Sequence, residues 1–529
     1  MNKNIQPYNH NHYPQISTIY KLLILIFSII YSFTLLFWGS SGDIFYWLNR
    51  GIFYKEEPLT ALSIWIIKIW TQYTEKSVIS LRILGWLTCT ISICIPYFTL
   101  QKKNFQIKNL HLLAFGIILF ANGTFKLFNP DTTTVFCLSC IVTLLLLYYR
   151  KGHIGFLYLI AIFEGISIAC RFPNIIIILI VPTLLIYQSY RTKKYTPLMH
   201  IFLSAIIAIV TYLLLMNFLC ESDNIINLIL QKVQNPTEGV KSHNLKYIIT
   251  NYKDSFVAQM GYISTIAIII YIFNIIYKKL KNKYIAFVLC IIFFLMLRSI
   301  ITYNASYLFA STVILFLTHI LFQTFYSKNI YSPIIQYILT FIGLALVAIA
   351  GSDTGIIKIY PFVSIITPLL FFNFYYKYKP SFFHKILFIT FLIFTIYQNV
   401  RENFSCKATT SYPALKCIHI SQNDKTYWED LLHNIKQYPN FPLILYGVQG
   451  HALYSITNED PLYHYSFWMY KNDKQELNCI FNTLKNYSRC LFIDLRKNDS
   501  KFFKEKAKQF NLTLINSNNS YNIYIMRKE

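Results

Sequence analysis

The chain has 529 residues, of which 55% are hydrophobic and only 13% are charged, and its mean hydropathy is +0.42. This composition excludes a soluble protein, because most of the first 400 residues form apolar runs long enough to span about 30 Å of hydrocarbon. The net charge of +25 does not indicate nucleic-acid binding, since the basic residues lie in short loops between the apolar runs.

The apolar runs predict about thirteen membrane-spanning helices. The predicted spans cover residues 20–38, 80–100, 110–127, 132–149, 154–170, 173–190, 198–219, 258–277, 284–300, 306–325, 333–350, 357–375 and 383–399. No small-residue cleavage site follows the first run, so we interpret it as a retained span rather than a signal peptide.

The loops differ in charge from one side of the membrane to the other. Those that follow even-numbered spans carry sixteen Lys and Arg residues and no Asp or Glu. This pattern follows the positive-inside rule and predicts a cytoplasmic N-terminus, with the odd-numbered loops and the C-terminal part outside. We therefore expect a multi-pass protein of a bacterial inner membrane.

The chain changes character at about residue 401, where the apolar runs shorten and alternate with amphipathic stretches. Helices are predicted over 428–438, 473–487 and 500–510, and strands over 442–447, 489–495 and 521–526. We predict an all-α polytopic membrane domain over residues 1–400 and a small extracytoplasmic α/β domain over residues 401–529.

Four of the eleven cysteines lie in the C-terminal part, in two pairs with the same Cys-x10-Cys spacing. This spacing does not resemble zinc ligation, and an oxidising exterior permits disulfides. The sequence therefore permits the bridges Cys406–Cys417 and Cys479–Cys490, with four reduced thiols as the alternative.

Carboxylates recur in the loops predicted to face outward. Asp43 follows the first span, Glu56 and Glu57 precede a proline, and Asp131 lies in the second outward loop. Charge beside hydrocarbon is costly, so such a cluster suggests a functional site. Taken singly, each acid also fits a structural role, because a carboxylate in the first turn of a helix complements the helix dipole.

The segment after these glutamates predicts an amphipathic helix. Its apolar side chains recur on one face, at Leu62, Trp65, Ile66, Ile69 and Tyr73. Such a helix is expected to lie in the membrane interface rather than to cross the bilayer.

Three cations stand at outward positions: Arg171, Arg298 and Lys358. Taken singly, each could be a residue at the membrane interface whose charged end extends into water. Together they would also suit a phosphate group, which arginine and lysine bind through charge-assisted hydrogen bonds.

The order of these residues resembles the GT-C superfamily of integral-membrane glycosyltransferases, specifically the dolichyl-phosphate-mannose protein mannosyltransferase and lipid A aminoarabinose transferase group. The matching features are, in order, Asp43 with Tyr46, Gly51 with Tyr54, Glu56-Glu57-Pro58-Leu59, Ser80-Leu81-Arg82, Asn129-Pro130-Asp131, Arg171 and Lys358-Ile359-Tyr360-Pro361. The resemblance covers most of residues 1–400.

The resemblance implies transfer of a sugar from a polyprenyl-phosphate donor to a hydroxyl of a glycan, lipid or protein acceptor. Asp43 would act as the general base, because a hydroxyl is a poor nucleophile at neutral pH. Glu57 or Asp131 would position the acceptor. A divalent cation, if one is used, would be held by Glu56, Glu57 or Asp131.

The remaining substrate contacts implied by the resemblance are basic and aromatic. The lipid phosphate gains negative charge as it leaves, and cations would stabilise it. The side chains assigned to substrate binding are Tyr46, Tyr54, Glu56, Arg171, Arg298, Lys358 and Tyr360. A single displacement would invert the anomeric centre.

Three other functions are weighed against this one. A polymerase or ligase of lipid-linked polysaccharides would act at the same face. A transporter or flippase should show broken spans in related halves and ionisable groups near mid-membrane, whereas the charges here collect at one face. A membrane anchor for the C-terminal domain would leave the acidic first loop unexplained.

Overall fold

The computed structural model describes residues 18–39, 42–52, 59–101, 110–120, 127–180, 197–220, 245–280, 405–447, 450–457 and 473–527, with ten further positions between 182 and 403. The predicted spans 306–325, 333–350 and 357–375, and nearly all of 284–300 and 383–399, lie outside the described residues.

The described N-terminal part is helical. Its helices are α1 (Thr18–Thr34), α2 (Gly42–Ile52), α3 (Ala61–Tyr73), α4 (Val78–Gln101), α5 (Leu110–Phe120), α6 (Pro130–Lys151), α7 (Gly155–Cys170), α8 (Pro197–Leu219) and α9 (Leu245–Leu280). Short 3-10 helices, Leu35–Phe37 and Phe172–Leu179, follow α1 and α7.

Four described helical segments are long and apolar enough to cross a bilayer. They are Thr18–Phe37, Val78–Thr99, Pro130–Tyr148 and Met199–Leu219, and they confirm the spans predicted at 20–38, 80–100, 132–149 and 198–219. The shorter apolar helix α7 agrees with the span predicted at 154–170. Large apolar side chains on the outer faces are exposed, such as Phe202 at 71% and Phe218 at 70%. These surfaces fit contact with lipid.

Two predicted spans differ from the observed elements. The run predicted as a span at 173–190 begins as a 3-10 helix, in which Pro173 occupies the first turn and a series of isoleucines follows. β-Branched side chains have a restricted χ1 angle and do not favour a regular α-helix. The helix expected at 258–277 is longer at both ends and covers Leu245–Leu280, 36 residues.

Helix α3 has two different faces. Ala61, Ser63, Ile64, Ile67 and Thr71 are buried against the rest of the protein. The apolar stripe predicted for the membrane interface lies on the opposite face, where it is half-buried or exposed. Leu62 and Trp65 of this second face still pack against the apolar cluster that contains Ala169 and Met216, whereas Tyr73 is 85% exposed, so this face is open to lipid only in part.

The C-terminal region, defined here as residues 405–527, contains helices and a four-stranded sheet. The elements are α10 (Gln422–Lys436), β1 (Leu443–Tyr446), α11 (Gly450–Thr457), α12 (Asp473–Leu484), β2 (Arg489–Asp494), α13 (Lys501–Gln509), β3 (Leu512–Ser517) and β4 (Asn522–Arg527). The strand order is β1-β2-β4-β3, with β1 parallel to β2 and the other pairs antiparallel. The register aligns Leu443 with Leu491 and Cys490 with Met526.

Both faces of the β1–β2 pair are buried. Since successive side chains of a strand point to opposite faces, Ile444 and Phe492 join one core with helices α12 and α13. Leu443 and Leu491 join a second core with helices α10 and α11. Burial on both faces explains the continuous apolar runs Leu443–Leu445 and Cys490–Ile493 within these strands.

The second core continues into the N-terminal part. From the N-terminal part it contains Leu36 of the 3-10 helix and Ile44 and Leu48 of α2. From the C-terminal region it contains Leu415, Ile418 and Leu453. The C-terminal region therefore packs directly on helix α2, rather than being joined to it only by a linker.

The predicted bridge Cys406–Cys417 is wrong, since both residues are free thiols in the structure. Ala408 and Ile420 form an antiparallel bridge, so the chain before Ala408 and the chain before Ile420 run away from it in opposite directions. This arrangement does not bring the two cysteines into the short separation that a disulfide requires. The pair Cys479–Cys490 stays a prediction, because the Cys479 side chain lies outside the described residues.

Candidate active site

The beginning of helix α6 presents a carboxylate at a fixed position. The Asn129 side chain accepts hydrogen bonds from the backbone N–H groups of Asp131 (3.0 Å) and Thr132 (2.9 Å), and the Thr132 hydroxyl accepts one from Asn129 N (2.9 Å). Pro130 occupies the first helical position, where its missing N–H costs nothing. The Asp131 carboxylate consequently lies at the positive end of the α6 dipole.

Arg171 lies directly after the last residue of α7 and faces this carboxylate. Its Nε atom is 3.7 Å from Asp131 Oδ1, and the two side chains are 10% and 25% exposed. The positive charge of Arg171 also lowers the pKa of the Tyr252 phenol, which burial raises more strongly. The structure thus brings together two of the predicted site residues, Asp131 and Arg171, in a partly buried ion pair.

The beginning of α3 is tied to the same place. Leu59 O accepts a hydrogen bond from Phe172 N at 2.8 Å. The Ser63 hydroxyl lies 2.8 Å from Thr133 Oγ1 and donates to Cys170 O at 3.0 Å. Leu59 follows the Glu56-Glu57-Pro58 segment, which lies outside the described residues along with Tyr54. These bonds bring Leu59, the first described residue after that segment, beside the Asp131–Arg171 pair.

Helix α2 begins at Gly42, so the backbone of Asp43 lies in its first turn. The Asp43 side chain lies outside the described residues. Tyr46 is buried at 5% exposure, and its ring is 5.3 Å from the Arg50 guanidinium. Tyr46 therefore belongs to the packing that holds α2.

One contact of α2 has no signal in the sequence. Ser455 in α11 donates a hydrogen bond to Asn49 Oδ1 at 2.5 Å, and both side chains are buried. The two residues lie 406 positions apart. A second buried residue, Arg82 at the beginning of α4, donates to backbone carbonyls next to α2. Arg82 belongs to the Ser80-Leu81-Arg82 motif, from which the sequence predicts no role.

The other predicted site residues, Arg298, Lys358 and Tyr360, lie outside the described residues. Within the described ranges, no group of three His, Cys, Asp or Glu side chains is arranged to hold a metal ion. Of the three candidate metal ligands Glu56, Glu57 and Asp131, only Asp131 is among the described residues, and Arg171 lies beside it.

No protein-family model matches the sequence, and no curated protein matches it. Solved structures do match. ArnT from Cupriavidus metallidurans bound to undecaprenyl phosphate has a TM-score of 0.51 at 10% identity, over 96% of this chain and 98% of that chain. The apo state of the same ArnT has a TM-score of 0.51 at 9% identity, over the same shares of both chains.

A third structure, the Archaeoglobus fulgidus oligosaccharyltransferase in complex with Zn and sulfate, has a TM-score of 0.49 at 10% identity, over 95% of this chain and 72% of that chain. ArnT is the lipid A aminoarabinose transferase, a GT-C enzyme. Because the two ArnT structures match over nearly the full length of both chains, this chain has the GT-C fold of ArnT. Its four long apolar helices have the length and composition of membrane spans. The resemblance stated from the sequence is confirmed at the level of the fold.

Proposed function

We propose that the protein is a membrane glycosyltransferase that transfers a sugar from a polyprenyl-phosphate donor to an acceptor hydroxyl at the extracytoplasmic face. The GT-C fold supports the reaction class. The ArnT structure bound to undecaprenyl phosphate supports this kind of donor. The observation that carries the proposal is the Asp131–Arg171 pair, which lies beside the chain segment that follows Glu57.

The reaction requires a base for the acceptor and a cation for the leaving group. In our proposal, Asp43 takes the hydroxyl proton while the acceptor oxygen bonds to C1 of the sugar and the bond from C1 to the phosphate oxygen breaks. The electron pair of that bond stays with the lipid phosphate. A single displacement of this kind inverts the anomeric centre.

Arg171 is the described cation best suited to the departing phosphate. Its guanidinium carries a charge and several donors, and the nearby Asp131 carboxylate limits its orientation. We propose that Asp131 positions Arg171 as well as the acceptor, and that Arg298 and Lys358 contribute further positive charge. Glu56, Glu57, Tyr46, Tyr54 and Tyr360 remain the proposed substrate or metal contacts.

The compartment follows from the charge of the loops. Helix α6 has Asp131 in its first turn and ends at Lys151, which with Arg150 forms one of the basic loop segments. Its 22 residues are about 33 Å long, enough to cross the hydrocarbon layer. The positive-inside rule then assigns Lys151 to the cytoplasm and Asp131 to the exterior. The C-terminal region, which packs on α2, is proposed to share the exterior with it.

The proposal is tested by mass spectrometry of cell-envelope glycans from cells with the wild-type gene, without the gene, and with Asp43→Asn. We expect one sugar to be lost from the envelope without the gene and not to be restored by Asp43→Asn. Identical glycans with and without the gene would refute the proposed function.

A further inference from the structure

The described residues between α1 and α2 are Leu35–Gly39, called the turn below. The 3-10 helix Leu35–Phe37 ends α1, and Gly39 has a φ angle of +79°, which side chains other than glycine rarely adopt. Helix α2 begins three residues later, with Asp43 in its first turn. Leu36 of this turn packs in one core with Ile44 and Leu48 of α2, which connects the turn to the helix that carries Asp43.

Arg82, in helix α4, is hydrogen-bonded to the backbone of the turn. Its Nη1 atom donates to Leu36 O at 2.7 Å and to Trp38 O at 3.2 Å, and its Nη2 atom donates to Gly39 O at 2.6 Å. The residue is 5% exposed. A planar guanidinium can serve three carbonyls at once in fixed directions, which a lysine ammonium cannot do from the same position.

His419 holds the same turn from the C-terminal region. Its backbone N–H donates to Phe37 O at 2.7 Å, and its carbonyl accepts from Gly39 N at 2.8 Å. Its imidazole stacks on the Trp38 ring with centroids 5.0 Å apart and planes 18° from parallel. The turn is thus fixed on both sides by two residues that are far apart in the sequence.

We propose that Arg82 and His419 are positioning residues for the predicted base Asp43, and that the C-terminal region is consequently part of the catalytic unit. This inference rests on the proposed function, since it assigns Asp43 the role of base. A carboxylate can take a proton only within hydrogen-bond reach of the acceptor. A displacement of about 1 Å can reduce the rate about 10²-fold.

The role of Arg82 and His419 is tested first without any substrate, by hydrogen–deuterium exchange of the purified full-length protein. We expect Arg82→Lys and His419→Ala to increase exchange in peptides that cover α2 (Gly42–Ile52). His419→Phe keeps an aromatic ring on Trp38 and should restore most of the protection. His433→Ala, at an exposed position of α10, is the matched control and should leave α2 unchanged.

The functional arm measures transfer with polyprenyl-phosphate sugars extracted from the same cells. We expect Arg82→Lys and His419→Ala to lower kcat about tenfold or more, with KM for the extract changed by less than about twofold. Undecaprenyl phosphate alone serves as a probe of the donor site, and its inhibition constant should stay within about twofold of the wild-type value. His419→Phe should recover the rate.

The outcomes separate this inference from the proposed function. Increased exchange together with a selective loss of kcat supports the positioning role. Unchanged exchange in α2, or increased exchange with normal kcat, would overturn it. If the wild-type protein transfers no sugar, the proposed function fails and the positioning role of Arg82 and His419 fails with it. If Arg82→Lys does not fold, the comparison of His419→Ala with His419→Phe decides the question.

Discussion

The Asp131 carboxylate lies 3.7 Å from the Arg171 guanidinium, although Asp131 lies in the first turn of helix α6 and Arg171 follows the end of helix α7. The contact places an acid and a cation at the same end of two neighbouring helices. Leu59, which follows the Glu56-Glu57-Pro58 segment, is hydrogen-bonded to Phe172 beside them. A carboxylate that orients a guanidinium is an arrangement suited to binding phosphate.

Arg171→Gln should lower transfer on the order of 10²-fold, because it removes a charged donor from the developing phosphate. Arg171→Lys keeps the charge but not the planar set of donors, and we expect an intermediate loss. Rates measured with a polyprenyl-phosphate sugar donor, alongside expression and melting temperature, check the prediction. Normal rates in Arg171→Gln would rule out this phosphate role.

Asp43→Asn should abolish transfer while the protein still folds and inserts. The amide keeps the size and hydrogen-bonding capacity of the side chain but removes its basicity, so the rate should fall on the order of 10²- to 10⁴-fold. Full activity at normal expression would show that the base lies elsewhere. Glu57→Gln and Asp131→Asn should lower activity less.

Glu75→Gln is the matched control for these acids. Glu75 lies in the same loop as Asp43, but it forms an exposed ion pair with Lys416 at 2.6 Å, and both side chains are 59% exposed. Exposed pairs of this kind contribute little to stability. We expect transfer to remain near the wild-type rate, and a large loss would mean that the outward acids act through general surface charge.

Much of the fold could be predicted from the sequence because its signals are local. Apolar runs of sufficient length identified the four described spans. Short apolar runs, separated by amphipathic stretches, identified β1, β2 and β4. The sequence analysis missed β3 (Leu512–Ser517), a half-exposed strand whose apolar and polar residues do not give a continuous run. It also missed the eight-residue helix α11, which is too short for a clear helical period.

The site shows the same limit. Asp131 and Arg171 were found because charges at the ends of apolar runs are conspicuous. Their contact depends on which helices are neighbours, which no local pattern records. Likewise, the Ser455–Asn49 hydrogen bond and the Trp38–His419 stack join residues hundreds of positions apart, of types that are common everywhere.

The two thiols Cys406 and Cys417 should both react with maleimide in the denatured, non-reduced protein, since they are not bonded to each other in the structure. Mass spectrometry of the labelled peptides gives the answer directly. A peptide linked through both residues would contradict the structure. The same experiment tests the remaining predicted bridge, Cys479–Cys490.

Reporter fusions should reveal the topology. Fusions after Gln101, Lys151, Lys194 and Lys281 are expected to report the cytoplasm, because basic loops are retained there. Fusions near Pro130 and after Lys407 are expected to report the exterior. A cytoplasmic signal after Lys407 would reject the proposed site, since the C-terminal region and α2 share one core and must lie in the same compartment.

Asp494, at the end of β2, should make the stability of the C-terminal region depend on pH. Its side chain is fully buried, and burial raises the pKa of the carboxyl, although hydrogen bonds from the backbone N–H groups of Asn498 and Arg496 oppose the rise. A raised folded-state pKa means that the folded protein binds this proton more tightly than the unfolded chain does.

The contribution of Asp494 to stability is therefore complete below the unfolded pKa of about 3.9 and is lost as the pH rises through the higher folded-state pKa. Asp494→Asn removes this titration, although the NH2 group of the amide then faces one of the two backbone N–H groups, of Arg496 or Asn498, from which the carboxylate accepts hydrogen bonds. The melting temperature of the variant relative to the wild type should consequently increase between about pH 4 and pH 7. Thermal melts of the purified protein across this range measure the difference, and a difference that stayed constant or fell with pH would show that burial does not raise the pKa of Asp494.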